Sequence, residues 1–113
     1  MSGITTHVLD VAAGRPAAGI EVKVYERNRH GEWRDRGKSV TNHDGRAEGL
    51  FGSNGLEASI YRLRFEVADY FERQGTPTFF PFVDVVFQVV DPAAGYHVPL
   101  LLSPWGYSTY RGS

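Results

Sequence analysis

The 113-residue sequence contains no cysteine, which excludes disulfide bonds, a thiol nucleophile and a thiolate metal site. It also lacks an excess of charge. Twelve Lys and Arg against 13 Asp and Glu leave a net charge of −1, too little to attract nucleic acid or an anionic membrane. No apolar run approaches the roughly 20 residues that span a bilayer, and residues 1–10 lack the pattern of a secretion signal. The sequence predicts a cytoplasmic protein, although an export signal upstream of residue 1 would leave no trace in it.

The composition favours β-structure. Val outnumbers Leu, and aromatic residues make up 13% of the chain, so many side chains suit a pleated, half-buried surface. Thirteen Gly and six Pro lie between short apolar runs, as is typical of many strands joined by turns. The length suits a single domain over residues 1–113.

Alternation of polar and apolar side chains predicts the individual strands. They span residues 5–10, 20–25, 33–41, 61–67, 82–90, 96–102 and 107–111. Asn42-His43-Asp44-Gly45 predicts a tight hairpin turn, with Arg46 at the head of a further short strand. Residues 68–74, followed by Gly75 and Pro77, predict one or two turns of helix.

The last third of the chain is poor in charge. Only Asp84, Asp91 and Arg111 are charged between residues 76 and 113, and the strand at 83–90 is apolar on both faces. In a two-layer domain the second face needs a cover, and a second copy of the chain is the simplest one. A core deeper than two layers is the alternative.

Histidine is the side chain most suited to proton transfer near neutral pH. His30 and His43 lie in polar loops, where a solvated side chain is expected. His7 and His97 interrupt apolar or β-branched strands, which makes them candidate site residues. On pattern alone, a half-exposed strand histidine without a catalytic role remains the alternative for both.

No local catalytic motif is present: the sequence has no phosphate-binding glycine loop, no G-x-S-x-G, no H-E-x-x-H and no paired metal-ligand spacing. An active site would therefore be assembled from distant positions, without a metal. Arg46 could direct its guanidinium into a cleft or solvate a loop, and the pattern alone favours the loop. Ser113, after an aromatic-rich strand, would bring a hydroxyl and a carboxylate to one place.

Four segments spread over the chain carry a resemblance. They are His7-Val8-Leu9-Asp10 with Gly14 and Pro16-Ala17, Asp44-Gly45-Arg46, residues 96–104, and residues 107–113. Together they resemble the 5-hydroxyisourate hydrolases, the transthyretin-like enzymes of purine degradation. The ending Tyr110-Arg111-Gly112-Ser113 is the most specific part, because the hormone-carrying transthyretins share the strands but not this ending. Those carriers also hold other residues at the positions that match His7, Arg46 and His97.

The resemblance implies an all-β, transthyretin-like sandwich of two sheets and eight strands with one short helix. It implies a homotetramer, a dimer of dimers, with catalytic pockets between the dimers. Catalytic roles carry over to His7, Arg46, His97 and Ser113, and substrate contacts to His7, Arg46, Tyr110 and Ser113. No cofactor is implied. Trp105-Gly106 departs from the common Tyr followed by Ser or Gly, which bears on a subunit contact.

The implied reaction is hydrolysis of 5-hydroxyisourate to 2-oxo-4-hydroxy-4-carboxy-5-ureidoimidazoline, in which water attacks the C6 carbonyl and the N1–C6 bond breaks. We assign the general base to His97, alone or with His7. The other histidine would orient the water or protonate the leaving nitrogen. Arg46 would bind the substrate's oxygens and the charge growing on the attacked carbonyl, and Ser113 would hydrogen-bond substrate or water. The alternatives are a non-catalytic carrier of small aromatic ligands and a monomeric β-sandwich interaction module.

Overall fold

Strands dominate the part of the chain that the computed structural model describes, residues 3–51 and 55–113. These residues form eight strands and one helix. In chain order they are β1 (Gly3–Asp10), β2 (Arg15–Pro16), β3 (Glu21–Arg27), β4 (Trp33–Val40), β5 (Ser59–Phe65), α1 (Val67–Arg73), β6 (Val83–Val89), β7 (Gly95–Ser103) and β8 (Gly106–Thr109).

The strands form two four-stranded sheets, in the orders β2-β1-β7-β8 and β4-β3-β5-β6. Neighbouring strands are antiparallel except β1 and β7, which run parallel in an unbroken register from Gly3↔Gly95 to Asp10↔Leu102. The prediction of an all-β, two-sheet sandwich with one short helix is confirmed.

The core lies between the sheets because every second side chain of the central strands points inward. Val8, Val22, Leu63 and Leu100 are all fully buried. Each such side chain contributes roughly 1.5–3 kcal/mol by leaving water. The residues that alternate with the buried ones along β1, β3 and β5 are half-buried or exposed, and they form the outward faces of the sheets.

The helix α1 lies within one residue of its predicted range. It buries Val67, Tyr70 and Phe71 and is followed by Gly75, whose φ of 69° is the left-handed conformation that ends many helices. Within the described residues, no helix is long and apolar enough to cross a membrane.

The prediction of a short strand beginning at Arg46 is wrong. Gly45 N–H donates to the Asn42 carbonyl, as the predicted turn requires, but the chain then leaves the sheet that contains β4. Val8 N–H in β1 donates to the Gly45 carbonyl at 2.8 Å, and Arg46 forms a single bridge with His7. This segment therefore pairs with the backbone of β1 and does not form a hairpin strand with β4. The turn predicted at residues 13–16 likewise ends in the two-residue strand β2, paired with β1.

A buried carboxylate ties β1 to α1. Asp10, only 2% exposed, accepts a 2.6 Å hydrogen bond from the Tyr70 hydroxyl and a 2.9 Å bond from the Ala13 amide. Because a buried carboxylate is costly without donors, these bonds stabilise the fold.

We expect Tyr70→Phe to lower the free energy of unfolding by about 1–3 kcal/mol, because Asp10 loses a donor that water does not replace. Urea denaturation followed by fluorescence measures the change. Tyr110→Phe is the matched control, since the Tyr110 side chain is 58% exposed. Equal stability of the two variants would contradict a stabilising role for the Tyr70–Asp10 bond.

Candidate functional site

The two strand histidines lie on the same outward face of the β2-β1-β7-β8 sheet. In β1, residues 4, 6, 8 and 10 are buried, so Thr5 and His7 face outward. In β7, Tyr96 and Val98 are buried, so His97 also faces outward. The parallel register places Thr5 opposite His97, which brings residues far apart in the sequence side by side.

The His97 ring is held by its neighbour in β1. The Nδ1 atom of His97 lies 2.8 Å from the Thr5 hydroxyl oxygen, a hydrogen bond between residues 92 positions apart. Among the described residues no hydrogen bond reaches Nε2, so this is the ring nitrogen available to a ligand.

His7 is anchored in a different way. Its Nε2–H donates to the Asp44 carbonyl at 2.7 Å. A carbonyl only accepts, so a neutral His7 carries its proton on Nε2 and has its lone pair on Nδ1. The backbone bridge between His7 and Arg46 places the exposed Arg46 beside it.

Gly45 makes this approach possible. It has a φ of 80°, and a Cβ there would lie 2.4 Å from the Val8 carbonyl oxygen and 3.3 Å from His7 Cδ2. Any other residue would therefore push the segment containing Asp44 and Arg46 away from β1.

The tail of the chain packs on His97 from the other side. Gly112 N–H donates to the His97 carbonyl at 2.8 Å, and a Cβ at residue 112 would lie 2.6 Å from Cδ2 of the His97 ring. Only glycine lets the backbone come this close, so Gly112 places Ser113 next to the histidine.

A cavity of about 540 Å³ opens at this point. The residues around it come from β1, from the β4–β5 connection, from β7 and from the tail; they are Gly3, Thr5, Arg46, Gly95, Tyr96, His97, Gly112 and Ser113. Three of the four predicted catalytic residues therefore line one cavity. The fourth, His7, lies next to it, one backbone bridge from Arg46.

The surroundings of His97 lower its pKa below the ordinary 6.5. Burial is the largest cause, because it disfavours the charged ring, and the electrostatic effects of Arg46 and then of His7 lower the pKa further. His97 is consequently neutral at neutral pH, the state in which an imidazole accepts a proton. Within residues 3–51 and 55–113, no three His, Asp or Glu side chains are arranged to hold a metal ion.

Tyr110 lies elsewhere. It lines a separate groove of about 310 Å³ between the edges of β6 and β8, with Val86 and Thr109 among its neighbours. The structure thus does not bring Tyr110 into the cavity of Arg46 and His97. A third groove, of about 610 Å³, lies near Arg27 and Gln88, and its described lining contains no histidine.

Thr5 and Gly112, the two residues that contact the His97 ring, are not among the site residues predicted from the sequence. Thr5 has the same inward–outward parity as His7, a signal that was available, but its contact with His97 depends on the pairing of β1 with β7. Gly112 belongs to the characteristic ending, and its contact with the ring depends on the path of the tail.

Similarity to known proteins agrees with this geometry. The family model described as HIUase/Transthyretin family matches residues 4–112. A 5-hydroxyisourate hydrolase of Mus musculus is 42% identical over 113 residues, covering 99% of this chain and 96% of the mouse protein. One from Halalkalibacterium halodurans is 47% identical over the full length of both chains.

Among solved structures, 5-hydroxyisourate hydrolase of Klebsiella pneumoniae superposes with a TM-score of 0.85 at 33% identity, covering 99% of this chain and 100% of that one. Transthyretin from Sparus aurata superposes with a TM-score of 0.94 at 28% identity, covering 99% and 97%. The transthyretin-like fold is confirmed, and with matches of this extent the chain belongs to the HIUase/transthyretin family.

Proposed function

We propose that this protein hydrolyses 5-hydroxyisourate in purine degradation. The observation that carries the proposal is the convergence of His97, Arg46 and Ser113 on one cavity, with His7 beside it. Fold alone does not decide between enzyme and carrier, since the transthyretin structure superposes at least as well as the hydrolase structure. Sequence identity favours the enzyme: it is 33% to the Klebsiella pneumoniae hydrolase and 42–47% to the mouse and Halalkalibacterium halodurans hydrolases, against 28% to that transthyretin.

In this mechanism His97 is the general base. Its neutral ring takes a proton from water at Nε2 while the water oxygen bonds to the C6 carbonyl carbon. The carbonyl oxygen becomes an oxyanion, and Arg46 stabilises its negative charge. When the N1–C6 bond breaks, N1 receives a proton from Nε2 of His97 or from protonated His7, and the carbonyl re-forms. The ring is opened and no cofactor takes part.

The other groups orient the reactants. His7, held at Asp44 through Nε2, presents Nδ1 either to orient the water or, once protonated, to give a proton to the leaving nitrogen. Ser113 hydrogen-bonds substrate or water. Tyr110 remains a predicted substrate contact, and in a single chain it faces the groove at the sheet edges.

The direct test follows the ultraviolet absorbance of freshly generated 5-hydroxyisourate, which decays slowly in buffer. We expect the protein to accelerate this decay and His97→Ala to lower kcat by about 10²–10⁴, the range that a general base contributes. His30→Ala is the matched control, because His30 lies in an exposed loop.

A carrier would bind the substrate without changing its decay rate, so unchanged decay with the wild-type protein would refute hydrolysis. Near-normal turnover by His97→Ala would contradict the assignment of His97 as the general base. Ser113→Ala tests the tail in the same assay, and an unchanged kcat/KM would leave Ser113 with a structural role only.

The pH dependence of turnover is expected to follow His97. Since protonation removes the base, kcat/KM should fall as pH drops through the lowered pKa of His97. In Arg46→Ala one nearby positive charge is gone while burial and His7 still act, so the pKa of His97 should move up towards 6.5. NMR titration of the ring protons measures this pKa, with Arg29→Ala as control. An unchanged pKa in Arg46→Ala would contradict the proposed electrostatic contact.

The same pKa predicts the effect of pH on stability. The unfolded chain binds a proton at His97 near pH 6.5, before the folded chain does. Stability is therefore lost as pH falls from 6.5 towards the folded pKa. In Arg46→Ala the folded-state pKa of His97 should lie closer to 6.5, so the pH range over which stability is lost should be narrower.

We propose further that the protein is a homotetramer, a dimer of dimers with its sites between the dimers. The strands β6 and β8 each end a sheet and leave one edge unpaired within the described chain. Val86, Val90, Tyr107 and Tyr110 are all at least 42% exposed in this region. Such edges pair readily with another strand, and a second copy would cover both.

Sedimentation velocity tests the assembly. We expect a particle of four times 12.6 kDa, reduced in size by Val86→Glu, which places a charge on the exposed edge. A monomer at micromolar concentration would refute the tetramer and favour the interaction-module alternative. The cytoplasmic location and the absence of nucleic-acid and membrane partners stay predictions, to be checked by cell fractionation and binding assays.

A further inference from the structure

Thr5 is the only side chain with a hydrogen bond to His97 among the described residues, and the mechanism has so far given it no role. The bond is partly buried and short, at 2.8 Å, and it reaches Nδ1 of the ring. It joins two residues in exact register across the β1–β7 pair. Both strands are central in their sheet and paired on both sides, so the backbones of Thr5 and His97 are held in place.

A hydroxyl can donate or accept, so the contact is compatible with two states of the neutral ring. If Thr5 donates, Nδ1 holds the lone pair and Nε2 carries the proton. If Thr5 accepts, Nδ1 carries the proton and Nε2 has the lone pair. Only the second state leaves a base on the nitrogen that is free to contact a ligand.

Two features of the site favour the second state. Arg46 lines the same cavity as His97, and a positive charge there favours a lone pair over an N–H group on Nε2, the ring nitrogen that Thr5 does not hold. In addition, once Nε2 has taken a proton, both ring nitrogens are donors and Thr5 can only accept. A hydroxyl that already accepts need not rotate during the proton transfer.

We propose that Thr5 is a positioning residue that holds His97 in the Nδ1–H tautomer and so keeps Nε2 available as the base. This inference rests on the proposed hydrolysis. The protons balance: the Nδ1 proton stays on Nδ1 throughout, and Nε2 takes a proton from the attacking water. Nε2 then gives this proton to N1 as the N1–C6 bond breaks or, where protonated His7 supplies N1, releases it to solvent.

The first test is spectroscopic and needs no substrate. In ¹⁵N-labelled protein above the pKa of His97, the chemical shifts of the two ring nitrogens report which one carries the proton. We expect the Nδ1–H tautomer in the wild type and in Thr5→Ser, which keeps the hydroxyl. Thr5→Val keeps the shape but removes the acceptor, and it should shift the population towards Nε2–H.

The second test is kinetic. Thr5→Val should lower kcat about tenfold, the loss expected for one hydrogen bond in the transition state, with little change in KM. Thr5→Ser should restore most of kcat. Thr78→Val is the matched control, because it removes a 2.8 Å hydrogen bond from another partly buried threonine, to the Pro104 carbonyl, outside the cavity.

An Nε2–H tautomer in the wild type would overturn the inference. So would a tautomer ratio and kcat in Thr5→Val that match the wild type. If the wild type left the decay of 5-hydroxyisourate unchanged, hydrolysis would fail, and with it the catalytic role of Thr5. The nitrogen shifts would still decide separately whether Thr5 sets the tautomer.

Discussion

The parallel pairing of β1 with β7 is the constraint on which the site depends. It is the single parallel pair among the described strands, and it places Thr5 opposite His97 although 92 residues separate them. The remaining parts attach to these two strands: Arg46 through its bridge with His7, and the tail through the bond from Gly112 to His97. A slip of one residue in either strand would turn its histidine into the core.

The same arrangement sets the chemical state of His97, the proposed base. A fully exposed histidine keeps its ordinary pKa. The pKa of His97 is lower, because the ring is partly buried and lies near Arg46 and His7. Close packing of glycine backbone around the ring contributes to that burial. The site thus gains a neutral imidazole and a nearby cation from one set of contacts. A fold shared with transthyretins accommodates such a site because the site consists of a few side chains on one sheet face and on the segments beside it.

Much of the architecture was predictable from local pattern, and the error at Arg46 shows where such reasoning stops. Alternation identified most strands, and the segment before Gly75 identified α1. The Asp44-Gly45 turn also forms, yet Arg46 does not begin a strand, because the Gly45 carbonyl bonds to Val8 in the other sheet. Local propensity predicts the turn, but it does not predict which strand forms hydrogen bonds with the residues that follow the turn.

The sequence by itself determined the class of fold, the two unusual strand histidines and, through its characteristic segments, the family. These depend on residue type and on spacing of a few positions, where the period of a strand assigns each side chain to a face. Only the tertiary structure decided that His97 meets Thr5, that Gly112 lies on its ring, and that Tyr110 faces a different groove. Those contacts depend on strand order and register, which arise from packing of the whole core and not from any short stretch of the chain.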